Sequence, residues 1–152
     1  MSGESNVTEL KLLDPTYSII VIPAAELPIE YQSLIFSKWM RSLRFGNPLF
    51  KNIDSTAFYQ QYQTYIENLL KKPSALIKLA VLTDDHDVVL GFSVSREDVC
   101  DYVHVHKDHR RLGIGKKLFP RNTTTMTHIT MTAIEIWRNN PKYKKLKFNP
   151  FA

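Results

Sequence analysis

The sequence predicts one small α/β domain spanning residues 1–152, with residues 1–16 as a short N-terminal arm. At 152 residues the chain has the length of one ordinary domain, and its 43% content of hydrophobic residues is enough to form a core. Two stretches with helical periodicity precede three consecutive stretches rich in β-branched residues. Helices and strands are therefore both expected in a single folded unit.

The first half of the chain predicts a strand followed by two helices. Residues 17–22 are apolar and β-branched and stop at Pro23, which is typical of a strand. Apolar side chains then recur every four residues, and the helix they predict ends at Gly46-Asn47-Pro48. These side chains are Tyr31, Ile35, Trp39 and Leu43. The second helix is predicted to begin after an N-cap at Asp54 or Ser55. Its apolar stripe consists of Phe58, Tyr62, Tyr65, Ile66, Leu69 and Leu70.

The second half predicts a run of strands and then shorter elements. Strands are expected at residues 75–82, 88–94 and 99–105, with polar turns at 83–87 and 95–98. Gly113 opens a short helix, which Pro120 must end or kink because proline has no amide hydrogen. The rest predicts a strand at 126–130, a helix at 133–139 and a final strand at 146–151.

Charge and cysteine content suggest where the protein acts and what it binds. The net charge of +5 favours an anionic partner such as nucleic acid, an acidic protein or a polyphosphate cofactor. An RNA-binding domain using the basic residues of 138–147 is one alternative, although no aromatic RNA-binding motif accompanies them. The start of the chain lacks the pattern of a secretory signal, and a single cysteine, Cys100, fits a reducing compartment. We therefore expect a cytoplasmic protein that does not enter the membrane.

The motif with the clearest chemistry is a glycine-bearing turn that leads from a strand into a helix. It reads Arg110-Arg111-Leu112-Gly113-Ile114-Gly115 and is followed by two lysines, Lys116 and Lys117. Glycines let the backbone approach a ligand, and the unpaired amides of a first helical turn favour an anion. The spacing differs from that of a Walker A loop and of the dinucleotide fingerprint. A pyrophosphate fits such a turn, and a glycine turn with a solvated basic flank is the alternative.

This segment resembles motif A of the GNAT superfamily of N-acetyltransferases. The motif is Arg/Gln-x-x-Gly-x-Gly/Ala after a central strand, and the order of predicted elements also matches. The resemblance implies a GNAT-like fold, with a mixed central sheet flanked by helices, and acetyl-CoA as co-substrate. It implies that the amides of Leu112, Gly113, Ile114, Gly115 and Lys116, with Arg110 and Arg111, hold the pyrophosphate. The backbones of Val103 and Val105 are then expected to pair with the pantetheine arm.

The resemblance also implies a base and marks one departure from the family pattern. An acidic residue or histidine on the central strand often serves as the base, and counting back four positions from Val105 gives Asp101. Alternation along a strand places Asp101 on the face of Val103 and Val105, and a β-bulge in this strand would change that face. An ordinary strand-end aspartate is the alternative. The tyrosine that usually acts as general acid is replaced by Trp137, and an indole cannot protonate a thiolate. Tyr143 lies nearby in sequence.

Two functional hypotheses follow from these residues. The first is an N-acetyltransferase acting on an amine acceptor, which is a small molecule, a protein or an aminoacyl-tRNA. The second is a non-catalytic module of the same fold, including a viral structural component, because compact versions of the fold occur in bacteriophage genomes. Because the predicted elements after the glycine turn are short, a homodimer or a protein partner would complete the acceptor site. A metal site at His104, His106 and His109 is not expected, because no further ligand stands at a standard zinc spacing.

Overall fold

A mixed sheet organises the described part of the chain. The computed structural model describes residues 16–46, 52–109, 113–128 and 145–152, together with Ile134, Arg138, Asn139 and Pro141. Within these residues the strands are β1 (Tyr17–Pro23), β2 (Ala75–Leu82), β3 (Asp85–Arg96), β4 (Val99–Val105), β5 (Thr125–Met126) and β6 (Lys147–Phe148). They lie side by side in chain order. Strands β1 to β4 are mutually antiparallel, whereas β5 is parallel to β4 and β6 is parallel to β5. The predicted α/β class with a mixed sheet is confirmed.

Two helices, α1 (Ile29–Gly46) and α2 (Ser55–Leu70), cover one face of this sheet. Ile35 and Trp39 of α1 are fully buried, as the four-residue repeat predicted. Helix α2 begins after Asp54, whose carboxylate accepts a hydrogen bond from the Ala57 amide at 3.0 Å. The predicted stripe of α2 packs in the same cluster, which also holds Ile77, Leu79, Phe92, Val94 and Tyr102 of the sheet.

The opposite face of the sheet carries the short helix α3 (Ile114–Leu118). Ile114 and Leu118 are buried against Cys100, Val103 and Val105 of β4. Gly91 of β3 makes this contact possible, because a Cβ atom there would lie 2.6 Å from the His104 carbonyl oxygen and 3.1 Å from a methyl carbon of Leu118. Helix α3 therefore sits directly against the centre of the sheet.

The structure differs from the predicted boundaries mainly at turns. Strand β3 begins at Asp85 rather than 88 because the polar Asp85-His86-Asp87 segment continues the hairpin with β2, past register shifts at Val81 and Leu82. The turn between β3 and β4 is shorter than predicted, because β3 continues to Arg96, and Glu97 in this turn adopts a positive φ of 51°. Strand β5 and the final strand are each two residues long.

The predicted arm at 1–16, apart from its last residue, and most of the predicted helix at 133–139 lie outside the described residues. No helix of the described part combines the length and apolar character needed to cross a membrane.

Candidate active site

Among the described residues, strands β4 and β5 pair at the N-terminal end of β4. Their pairing joins Val99 to Thr125 and Cys100 to Met126, and the Thr127 amide adds one further bond to the Cys100 carbonyl at 3.3 Å. Strand β4 continues to Val105 alongside β3. The polar side chains that follow β5, Thr127 and His128, are therefore placed beside Asp101 in the middle of β4.

A β-bulge lies at this point. Val94 of β3 faces Tyr102, but the next residue, Ser95, faces Cys100, so Asp101 is an extra residue in β4. The bulge makes Cys100, and not Asp101, the residue that packs in the same cluster as Val103 and Val105. The alternation that placed Asp101 on their face is therefore wrong, because strict alternation holds only in a strand without a bulge.

The Asp101 side chain is enclosed by hydrogen-bond donors. Its oxygens accept from Arg96 Nε at 3.0 Å, from Arg96 Nη2 at 3.2 Å and from the Thr127 hydroxyl at 2.9 Å. Asp101 is 1% exposed, whereas the Arg96 side chain is 13% exposed. Both charges act on Tyr65 of α2, so the carboxylate lies on the sheet face that α1 and α2 cover. Whether Asp101 acts as a base stays a prediction.

His128, which follows β5, is the site residue that sequence reasoning missed. Its Nδ1 atom lies 2.9 Å from the Asp101 carbonyl oxygen and 3.0 Å from the Thr127 hydroxyl. The imidazole is 9% exposed and has the rings of Trp39, Tyr62, Tyr65 and Tyr102 around it, with centroids 5.6–6.5 Å away. In the sequence it was one polar residue in a predicted strand, and only the parallel β4–β5 pairing brings it to Asp101.

Burial changes the protonation of the groups around this cluster. Desolvation lowers the pKa of His128 below its usual 6.5, although the hydrogen bond to the Asp101 backbone and the Asp101 charge oppose it. Desolvation raises the pKa of Tyr62, and desolvation followed by the Asp101 charge raises that of Tyr65. Burial raises the pKa of the Cys100 thiol to about 12. At neutral pH the histidine is therefore neutral, and the two phenols and the thiol keep their protons.

The predicted cofactor-binding residues are brought together only in part. Three of them, Val103, Val105 and Ile114, are buried in one cluster. Gly113, immediately before Ile114, lies at the surface as the N-cap of α3. Gly113 has a φ of +78°, and a Cβ added there would meet no atom within 4 Å. Lys116 is exposed. The start of α3 is thus open to a ligand, and a glycine has no side chain that could cap its first amides. Arg110, Arg111 and Leu112 lie outside the described residues, as do Trp137 and Tyr143.

The histidines considered for metal binding do not gather further ligands in the described part of the chain. His104 packs against the rings of Phe92 and Tyr102 on the face of α1 and α2. His106 lies near His109, with ring centroids 5.6 Å apart, and its Nδ1 is 3.6 Å from an Asp108 carboxylate oxygen. Among the described residues no group of three or more metal-ligating side chains comes together.

The fold is shared with a solved structure. The chain is similar to a protein from Pyrococcus furiosus described as a proposed acetyl transferase, with a TM-score of 0.53 and 18% identity over 81% of this chain and 90% of that one. The mixed sheet with flanking helices matches the fold of this solved structure, which confirms the predicted fold class. At 18% identity this likeness concerns the fold alone.

Other matches are weaker. A ribosomal-protein-alanine N-acetyltransferase from Brucella melitensis biovar Abortus 2308 matches over 88% of this chain and 80% of its own, with 16% identity and a TM-score of 0.43. An aminoglycoside acetyltransferase from an uncultured soil metagenomic sample covers 88% of this chain and 78% of its own, with 12% identity and a TM-score of 0.42. Such low TM-scores support no argument about this chain. No protein-family model matches the sequence, and neither does any curated protein.

Proposed function

We propose that this protein is an acetyl-CoA-dependent N-acetyltransferase. The observation that carries the proposal is the bulge at Asp101 with the polar cluster of Arg96, Asp101, Thr127 and His128, set beside the middle of β4 on a GNAT-like sheet. Acetyl transfer to an amine needs a group that takes a proton from the ammonium form of the acceptor. Groups with perturbed pKa values cluster at functional sites, so the lowered pKa of His128 beside Asp101 is a reason to expect chemistry at this place.

The co-substrate supplies an activated acetyl group as a thioester. We propose that its pyrophosphate lies at the start of α3, held by the amides of Gly113, Ile114, Gly115 and Lys116 with the flanking Arg110, Arg111 and Leu112. The open space at Gly113 fits this role because it leaves the first turn of α3 accessible to a ligand. The buried Ile114 fits it because it fixes this turn against the sheet. We propose that the backbones of Val103 and Val105 orient the pantetheine arm, so that the thioester is directed toward the polar cluster.

The proposal predicts stabilisation by acetyl-CoA. At a concentration one hundred times the dissociation constant, a ligand of the native state adds about 2.7 kcal/mol, which raises the thermal midpoint of a chain this size by roughly 5–10 °C. Thermal melts with acetyl-CoA measure the shift. ATP at equal concentration is the control for general polyanion binding, which the net charge of +5 favours. No shift with acetyl-CoA, or an equal shift with ATP, contradicts the proposal.

A variant of the loop sharpens this test. Gly113→Val is expected to abolish the acetyl-CoA shift, because a β-branched residue disfavours the positive φ that orients the first turn of α3. The matched control is Glu97→Val, which introduces the same kind of strain at a φ of 51° but at the opposite end of β4. Both variants should melt a few degrees lower without ligand, and only the control should keep the shift.

A further inference from the structure

The hydrogen bonds at His128 determine which of its nitrogens carries the proton. A carbonyl oxygen only accepts hydrogen bonds, so the 2.9 Å contact with the Asp101 carbonyl requires a hydrogen on Nδ1. The Thr127 hydroxyl in turn gives its hydrogen to the Asp101 carboxylate at 2.9 Å. In the neutral imidazole Nε2 is then the unprotonated nitrogen with a free lone pair, and within the described part of the chain it makes no hydrogen bond.

The other candidates for a proton acceptor in this cluster are less suited. The phenols of Tyr62 and Tyr65 and the thiol of Cys100 all have raised pKa values and remain protonated at neutral pH. The Asp101 carboxylate accepts three hydrogen bonds, two of them from a guanidinium, and it would lose at least one of them on taking a proton. His128 alone combines an available lone pair with an environment that keeps it neutral.

The aromatic rings around His128 differ in how deeply they are buried. Trp39 and Tyr102 are fully buried and close the imidazole toward α1 and the sheet, whereas Tyr62 and Tyr65 on α2 are half-buried. An acceptor would therefore approach His128 past the α2 tyrosines. The hydrogen bond to the Asp101 carbonyl fixes the ring beside β4, at a residue two positions before Val103.

We propose that Nε2 of His128 is the general base that deprotonates the acceptor amine, and that Asp101 and Thr127 are positioning residues that hold the ring in its Nδ1-protonated form. This inference rests on the proposed function. The ammonium nitrogen of the acceptor gives one proton to Nε2, and its freed lone pair forms the C–N bond while the C–S bond of the thioester breaks. The sulfur takes the second N–H proton, and the imidazolium releases its proton to water, so the products are an amide, a thiol and one proton.

The pH dependence of turnover follows from the surroundings of the ring. The titratable and charged groups facing it are Asp101 and Tyr102 from β4 and Tyr62 and Tyr65 from α2, and Arg96 from β3 pairs with Asp101. Burial holds the pKa of His128 below 6.5, so the base is fully available at neutral pH and is lost only as the pH falls through that lowered value. A low-pH limb with a midpoint below 6.5 is therefore expected in the rate profile.

One variant of His128 and one of Asp101 separate the proposed base from its support. In His128→Asn the amide NH₂ replaces the Nδ1 donor but nothing replaces Nε2, and turnover is expected to fall roughly 10²- to 10⁴-fold with unchanged acetyl-CoA affinity. Its rate profile should lose the low-pH limb. Asp101→Asn should keep that limb at lower turnover, because it leaves the base in place but weakens its support.

The measurements are transfer from acetyl-CoA to a panel of small amines and peptides with free N-termini, and ¹⁵N NMR of the His128 ring in the unliganded protein. We expect the Nδ1-protonated tautomer and a titration below pH 6.5. An Nε2-protonated ring overturns the inference whatever the activity. Full turnover by His128→Asn, or loss of the low-pH limb in Asp101→Asn instead, overturns it while leaving the proposed function standing. Acetyl-CoA binding without transfer by the wild type removes both.

Discussion

Replacing Arg96 with methionine is expected to lower the free energy of unfolding by about 3–5 kcal/mol, because the change leaves the Asp101 charge buried without its partner. Asp101 is 1% exposed, and the guanidinium supplies two of its three hydrogen bonds, at 3.0 and 3.2 Å. The Thr127 hydroxyl remains, but one neutral donor compensates a buried carboxylate poorly. Urea denaturation at neutral pH measures the change from the shift of the midpoint at constant m.

The comparison variants identify the cause of this loss. Arg41→Met removes an equally charged but exposed side chain and is expected to change the free energy of unfolding by less than about 0.5 kcal/mol. In the double variant Arg96→Met/Asp101→Asn the buried charge is gone, so part of the lost stability should return. A loss below about 1 kcal/mol in Arg96→Met, or no recovery in the double variant, would show that the ion pair contributes little.

Trp39→Ala is the second substitution with a large expected effect, about 3–5 kcal/mol of unfolding free energy. Trp39 is fully buried and stacks on Tyr102 with ring centroids 4.7 Å apart, while its edge contacts the His128 ring at 5.7 Å. Alanine removes the largest buried side chain at the contact between α1 and the sheet, and the backbone of a helix cannot collapse to fill the space.

The same denaturation experiment tests this substitution. Ile29→Ala, at the start of the same helix, is the control, because Ile29 is 67% exposed and its truncation should have a small effect. Trp39→Phe keeps most of the ring and should fall between the two. If Trp39→Ala were no worse than Ile29→Ala, the packing of α1 described above would be incorrect.

The elements that the sequence predicted well are those with a local signal. The four-residue repeat through Ile35 and Trp39 defined the buried face of α1, and Asp54 marked the start of α2 through its own side chain. Gly113 was correctly expected to open a short helix, because its positive φ is a conformation that glycine adopts easily. These features depend on residues a few positions apart, so they are visible without the tertiary structure.

The candidate site depends instead on contacts that no local pattern shows. The bulge at Asp101 changes the face of one residue in an otherwise regular strand, and alternation therefore misplaced its side chain. His128 reaches the Asp101 carbonyl across 27 positions of sequence, through a parallel pairing of only two residue pairs. The predicted phosphate loop stays a prediction, since Arg110, Arg111 and Leu112 fall outside the described residues.

The order of the strands has a consequence for how the chain can assemble during synthesis. Each strand from β2 to β6 pairs with the strand that precedes it in the sequence, so its partner has already left the ribosome when it emerges. The antiparallel part, β1 to β4, needs no later residue for its pairing. Strands β5 and β6 join afterwards through longer parallel connections, which close more slowly. The half of the polar cluster that contains Arg96 and Asp101 would therefore be in place before Thr127 and His128 complete it.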